Sequence, residues 1–561
     1  MFSNTWRAVF LSRTGQAVVV AEDRQNGERA IHNEPSHRRW LAGVATVVAM
    51  HISPASAQNL GQWTGTIPFP NIPVSAAVLP SGQLLTWSSY QPFFFEGDIG
   101  TTPSQTYVSV YDPLSGAFTP GIENSMMSDM FCSGIAYLGD GRVMVNGGSS
   151  SLHTAVYDPS TQSWVSDARM NIARGYNSTV TLSTGEAFTI GGSWSGDGSP
   201  KDGEVWSPTG GWRQTSISEN NILAIDPIDT AQGYISEGDD HPWLFAAPNG
   251  RVFHAGPSPL MNWIDTTGDG SIMAVGNRAN DPYSINGIAA MYAPGKILKA
   301  GGAPSYTDAD ATAGTYLIDI TAALSDPSGA VAVRQLASMA YPRAYANGVV
   351  LPGGNVLVIG GQTHAAQFND DKSVLVPELW SPVTEQFTPL APMDTPRNYH
   401  SVALLLPDGR VFSGGGGLCG DGCAGNHQDG AIFSPPYLFG ADGATPAPRP
   451  SLAVTSSSPP ATALSGPLNK SLSVPLGATL TVSTGGPVAS FELIRVSATT
   501  HTLNTDQRRV PLTITGVAPN AYALAMPPDP GVVVPGYWML FAIDANGTPS
   551  VATIILIQTS Q

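Results

Sequence analysis

VMVNGG (143–148), AFTIGG (187–192), ILKAGG (297–302), VLVIGG (356–361) and VFSGGG (411–416) are five apolar runs that each stop on paired glycines. Between them recur VYDPLSGAF (from Val110), VYDPSTQSW (from Val156), VWSPTGGW (from Val205) and LWSPVTEQF (from Leu379). Short β-branched and aromatic runs bounded by Gly, Pro, Asp and Ser read as strands separated by tight turns.

Successive glycine pairs lie 44, 110, 59 and 54 residues apart. The gap of 110 holds two units if RVFHAG, ending at Gly256, is a degenerate copy. A period of about 50 residues is that of kelch repeats, one four-stranded propeller blade each. A first unit at QLLTWSS (from Gln83) brings the count to seven. An array of β-sandwiches also has short strands but no fixed period. After Pro446 the pattern changes: ATPAPRPSL (444–452) is a Pro-rich linker, and LTVST (from Leu480) and ASFELIRV (from Ala489) alternate as strands of a small sandwich do. The expected fold is all-β, a seven-bladed kelch-type β-propeller over 58–445 followed by an immunoglobulin-like β-sandwich over 446–561.

Composition narrows the function. The 561 residues are 42% hydrophobic and 12% charged, which excludes disorder as the main state. Asp plus Glu number 42 against 25 Lys plus Arg, a net charge of −17 that disfavours nucleic acid as a partner. Arg38-Arg39, an apolar run from Trp40 to Met50 and the small-x-small triplet Ala55-Ser56-Ala57 read as a signal peptide with cleavage after Ala57. The run is too short to span a bilayer. Its paired arginines loosely resemble a twin-arginine signal, and the residues upstream read either as an extended leader or as the product of a start codon placed too early. The expectation is a secreted or periplasmic monomer with no membrane partner.

Export makes a local disulfide across Cys419-Gly-Asp-Gly-Cys423 the expected state. Cys132 is then alone, and a lone cysteine usually serves as a small hydrophobe. Of seven histidines beyond residue 57, two have suggestive neighbours: His400 follows Tyr399, and His501 lies in ATTHTLNTDQRR. Imidazoles with tyrosine oxygens make a mixed N,O donor set that suits Cu(II). Nothing local in the spacing demands a metal.

Five longer motifs carry more. DMFCSGIAYLGDGRVMVNGG (129–148), ARGYNSTVTLSTGEAFTIGGSWSG (173–196), NYHSVALLLPDGRVFSGGGGLCGDGC (398–423), ATTHTLNTDQRRVPLT (498–513) and PGYWMLFAIDANGTPSVA (535–552) together resemble the copper radical oxidases, the galactose oxidase family. The resemblance runs from about residue 60 to the end of the chain, and it implies a residue set. Cys132 and Tyr176 stand where that family joins cysteine to tyrosine by a thioether, the tyrosine being both copper ligand and radical cofactor. Trp194 matches the indole stacked on the thioether, Tyr399 the axial tyrosine, and His400 and His501 the imidazole ligands, the last carried by a loop of the second domain through the propeller axis. His427 reads as a surface residue or a rival to His501. The family's separate carbohydrate-binding domain has no counterpart between the leader and the first blade.

The implied reaction oxidises a primary alcohol to an aldehyde and reduces O2 to H2O2. Copper cycles by one electron, so the cross-linked tyrosine supplies the second. A free phenol has a pKa of about 10, and Tyr399 as a ligand phenolate would take the alcohol proton. The substrate pocket departs from the family's pattern. Glu237 stands where an arginine is usual and Thr307 where a glutamine is, whereas Tyr306 and the aromatic walls Phe95 and Phe368 have counterparts. The substrate class is therefore a small primary alcohol or sugar, with galactose not required. Two other readings stand beside it: a glyoxal-oxidase-like aldehyde oxidase, which the tryptophan at 194 disfavours, and a non-catalytic kelch propeller that binds glycan or protein.

Overall fold

Every apolar run that ends in paired glycines is the second strand of a four-stranded antiparallel blade. The computed structural model describes residues 59–95, 105–221, 237–322, 325 and 331–558. The signal peptide read at 1–57 lies outside the described residues, as does the Glu237 side chain. Blade 1 starts with Ser75–Val78 and Leu84–Trp87, blade 2 with Gly134–Tyr137 and Val143–Asn146, and blade 3 with Ser178–Thr181 and Ala187–Ile190. Blade 4 starts with Trp243–Ala246 and Val252–Gly256, the degenerate RVFHAG copy, and blades 5 and 6 with Ile288–Ala293 and Asn347–Val350. Blade 7 takes Ser401–Leu405, Val411–Gly415 and Asp429–Ser434 from its own repeat and a fourth strand, Gln62–Trp63, from the start of the propeller. That pairing closes the ring, which a linear reading of the repeats does not reveal.

The glycines are needed because neighbouring loops approach too closely for a side chain. A Cβ on Gly147 (φ 81°) would lie 2.5 Å from the Arg174 carbonyl oxygen, and one on Gly360 (φ 71°) 2.1 Å from that of Arg397. Positive φ without a Cβ penalty and direct backbone contact both select glycine. The arginines that follow are buried in ion pairs, Arg174 with Glu204 (3.0 Å) and Arg343 with Glu378 (2.7 Å), and Arg397 pairs with Asp429. Each guanidinium also donates to carbonyls of its own blade, such as Gly191 and Gly360. Removing one partner of such a buried pair costs about 3–5 kcal/mol, so these pairs fix the loop that enters each blade.

From Leu452 the chain forms a sandwich. Its core is built of alternating positions, with Leu480, Val482, Phe491, Leu493, Trp538, Leu540 and Ile555 all fully buried. The long strand Arg509–Ala518 pairs first with Ser490–Arg495 and then with Ala521–Ala525, turning the corner between the two layers.

One hairpin leaves the sandwich for the propeller. Ala498–Thr500 adds to the inner edge of blade 1, Ser75 opposite Thr500. The following residues plug the axis by satisfying the free edges of the other inner strands, groups that would otherwise be buried without partners. The Thr505 hydroxyl donates to the Thr179 carbonyl (2.6 Å), Asp506 accepts from the Tyr137 N–H (2.9 Å), Gln507 donates to the Gly348 carbonyl (2.6 Å) and Arg508 to the Ala246 carbonyl (2.7 Å). Within NTDQRR the four side chains Thr505 to Arg508 thus each answer a different blade, while Asn504 donates to Ser497 and Arg509 pairs with Glu492 inside the second domain.

Candidate metal centre

The residue two places before the inner strand of a blade projects over the axis. Cys132, Tyr176, His241, Asn286 and Tyr345 occupy that position in blades 2 to 6, with φ of 60, 65, 53, 58 and 61°. In blade 7 the left-handed residue is His400, with φ of 68°. Left-handed backbone at non-glycine residues costs on the order of 1–3 kcal/mol each and persists only where the surroundings enforce it. Here the enforcement is a relay of backbone bonds between blades: the Tyr176 N–H donates to the Cys132 carbonyl, and the His241 N–H to the Tyr176 carbonyl, both at 2.8 Å.

The side chains meet in one buried cluster. The Tyr176 and Tyr399 hydroxyls are in hydrogen-bond contact. Cys132 Sγ lies 3.4 Å from His501 Nε2, and the ligating atoms of Cys132, His400 and His501 all fall within 4.8 Å of one another. His400 Nδ1 is bonded to the Gly417 carbonyl, which makes it the protonated nitrogen and leaves Nε2 buried with no partner. His501 Nδ1 sits 2.7 Å from the Thr500 hydroxyl, so its Nε2 also faces the cluster. Trp194 stacks on Tyr176 at 4.8 Å and 14°. It is held from both sides, as Ser193 donates to Asp239 (2.6 Å) and Ser195 to the Gly148 carbonyl (2.7 Å).

Burial sets the protonation states. It pushes His400 down to about 3 and His501 well below the ordinary histidine value, with the charges of His400 and His241 adding to the effect on His501. Both imidazoles are therefore neutral, the form that binds metal. Burial, followed by the charge of Cys132, holds the Tyr176 phenol well above its ordinary value. A cation opposite these oxygens reverses that preference. An orphaned imidazole nitrogen, a second imidazole and two phenols converging on one point fit Cu(II) better than calcium or magnesium, which take all-oxygen sets.

His241 was not singled out from the sequence. Its ring lies 4.7 Å from Tyr176 and 4.9 Å from His501, and its Nε2 is 3.1 Å from the Tyr306 hydroxyl, which is 3.4 Å from that of Tyr399. The signal available was its place two residues before WLFA, the start of an inner strand. His427 stands apart from the donor cluster and is paired with Asp370 (3.0 Å). Phe95 stacks on Phe368 (5.6 Å) and on the buried Phe131 (5.1 Å), a second residue missed from sequence, and Phe368 packs on Tyr399 (5.2 Å). Tyr306 is buried beside Tyr176, and Thr307 next to it is partly exposed. Cys419 and Cys423 are joined by a disulfide.

A propeller closed by a plug from a sandwich, with two imidazoles and two phenols over its axis, defines a metallo-oxidase type of centre. The family described as galactose oxidase-like, early set domain, matches residues 459–557, and the glyoxal oxidase N-terminus matches 288–418. A galactose oxidase of Gibberella zeae is 41% identical over 512 residues, covering 90% of this chain and 71% of that protein. A fungal alcohol oxidase solved in complex with copper is 39% identical with a TM-score of 0.80, covering 89% of this chain and all of that one. An aldehyde oxidase of Vitis pseudoreticulata is 32% identical over 242 residues, 39% of this chain and 42% of that protein. The chain belongs to the galactose oxidase family.

Proposed function

We propose that this protein is an exported copper radical oxidase that converts a primary alcohol to an aldehyde while reducing O2 to H2O2. The observation that carries the reading is the convergence of the Tyr176 and Tyr399 hydroxyls with the unpartnered His400 Nε2 and with His501. Tyr176, Tyr399, His400 and His501 hold the copper. Bound there, copper supplies a one-electron oxidant and an anchor for the substrate oxygen. The protein supplies the rest: Tyr399 Oη receives the hydroxyl proton of the alcohol, and the oxidised Tyr176 removes a hydrogen atom from the carbinol carbon. Cys132, joined through sulfur to the Tyr176 ring, makes that tyrosine easier to oxidise, and the Trp194 indole shields it from water. In this reading residues 58–445 carry most of the site and 446–561 deliver His501, after removal of the leader 1–57. Among the described residues no helix is long and apolar enough to cross a membrane.

Copper-loaded, oxygen-exposed protein is expected to form peroxide with a primary alcohol and to yield one tryptic species, stable to reduction, containing both Cys132 and Tyr176. Recovery of Cys132 as a free alkylatable thiol from active enzyme would overturn the cross-link.

Substrate choice follows from the resemblance. A guanidinium donates paired hydrogen bonds to adjacent sugar hydroxyls, whereas a carboxylate, which the sequence resemblance puts in that place as Glu237, only accepts and repels anions. Lost hydroxyl contacts of this kind cost about 10- to 100-fold in specificity. Galactose is expected to be a poor to moderate substrate, glyoxylate a poor one, and neutral alcohols with an aromatic ring to rest on Phe95, Phe368 or Trp194 the better ones. The similarity of 288–418 to glyoxal oxidases favours aldehyde oxidation as a second reading. Measuring kcat/KM for galactose, benzyl alcohol, glycerol, glyoxal and glyoxylate under one set of conditions decides between them. A clear preference for galactose would show that other residues rebuild the sugar site.

A further inference from the structure

The disulfide-closed loop 416–427 touches both segments that carry the aromatic walls. On one side the Gly420 N–H donates to the Phe93 carbonyl (3.0 Å), the Asn426 side-chain amide donates to the same carbonyl (3.2 Å), and Phe94 forms a β-bridge with Cys419. On the other side Gly425 lies so close to the next wall that a Cβ there would be 2.9 Å from the backbone carbonyl of Phe368. His427 Nε2 lies 3.0 and 3.1 Å from the two oxygens of Asp370, two residues beyond Phe368. Phe368 itself has φ of 55°, uncommon for a bulky residue, and its segment is held by the loop on one side and by the Gln362 and Asn398 amides, which donate to the Asn369 carbonyl, on the other. The loop is internally rigid: Asn426 Oδ1 accepts from the N–H groups of Leu418 and Cys419, and the disulfide spans 419–423. Its base is a separate attachment, since the Gly417 carbonyl holds His400.

The geometry points to a division of labour within this loop: its base orients a metal ligand, and its tip, through Gly425 and the His427–Asp370 pair, sets the separation of Phe95 and Phe368 and so the preference for aromatic over small aliphatic alcohols. This rests on the oxidase reading above. The positioning residues are His427 and Gly425, neither of which lies in the donor cluster. A side chain at 425 pushes the Phe368 backbone, and truncating His427 releases Asp370 from the loop.

The test compares benzyl alcohol with glycerol in the copper-loaded protein and measures benzyl alcohol binding to the metal-free protein by ligand-observed NMR. For Gly425→Ala and His427→Ala, KM for benzyl alcohol is expected to rise about tenfold while copper content and kcat on glycerol stay within about twofold. The Kd of the metal-free protein should weaken in parallel. His427→Gln, which keeps a donor toward Asp370, should restore the parent values. Unchanged benzyl alcohol KM and Kd in both alanine variants would overturn the inference, as would an equal loss on both alcohols accompanied by loss of copper. A parent protein that makes no peroxide from either alcohol counts against the oxidase reading, and the Kd series on metal-free protein still judges the loop.

Discussion

Tyr399→Phe is expected to bind copper and to turn over benzyl alcohol about 10²–10⁴-fold more slowly, the range that a positioned general base contributes. The substitution removes one oxygen and leaves the ring, which stacks on His400 at 3.8 Å and packs against Phe368 and Tyr345, both at 5.2 Å. The fold and the His400 orientation are therefore preserved, while the substrate proton loses its acceptor and the Tyr306 hydroxyl loses its contact at 3.4 Å. Peroxide formation measured beside copper content separates the two effects. Near-normal turnover would place the base elsewhere in the cluster.

His501→Ala is expected to abolish copper retention and all turnover. Losing an outer-shell partner of a metal ligand costs about 10–100-fold in affinity, and losing a ligand costs more. The truncation leaves the delivering hairpin intact, because Ser75 still pairs with Thr500 and the buried Arg495–Asp506 pair still anchors the plug. The apoprotein should therefore unfold as cooperatively as the parent, and only the metal should be lost on dialysis. Full copper occupancy in the variant would show that the second domain is not needed for the site.

Much of the architecture was legible because its causes are local in the chain. The glycine pairs announce the blades, since backbone of the neighbouring loop lies within 2.5 Å of where the Gly147 Cβ would be, and no other residue type fits there. The degenerate copy RVFHAG was placed by period alone and is Val252–Gly256 of blade 4. Alternation in Thr479–Thr484, with every second residue buried, is the mark of a strand with one face on a core. The site was legible only through long motifs. No spacing relates Cys132, Tyr176, Tyr399 and His501 within one element, and a lone cysteine or an inner-strand tyrosine reads equally well as core packing.

Sequence by itself determined the repeat, the change of pattern after Pro446, the acidic balance and the candidates at 132, 176, 194, 399, 400 and 501. Tertiary structure alone decided which of them meet. Ring closure through Gln62–Trp63 and the left-handed turn before each inner strand bring residues from separate blades over one axis, and the polar plug 504–508 seats His501 among them. His241 and Phe131 entered the site for the same reason, and His427, a surface residue or a rival to His501 by sequence, pairs with Asp370. Backbone groups on the free inner edges had to find partners, and the chain that supplied them came from another domain, a distance that no local pattern encodes.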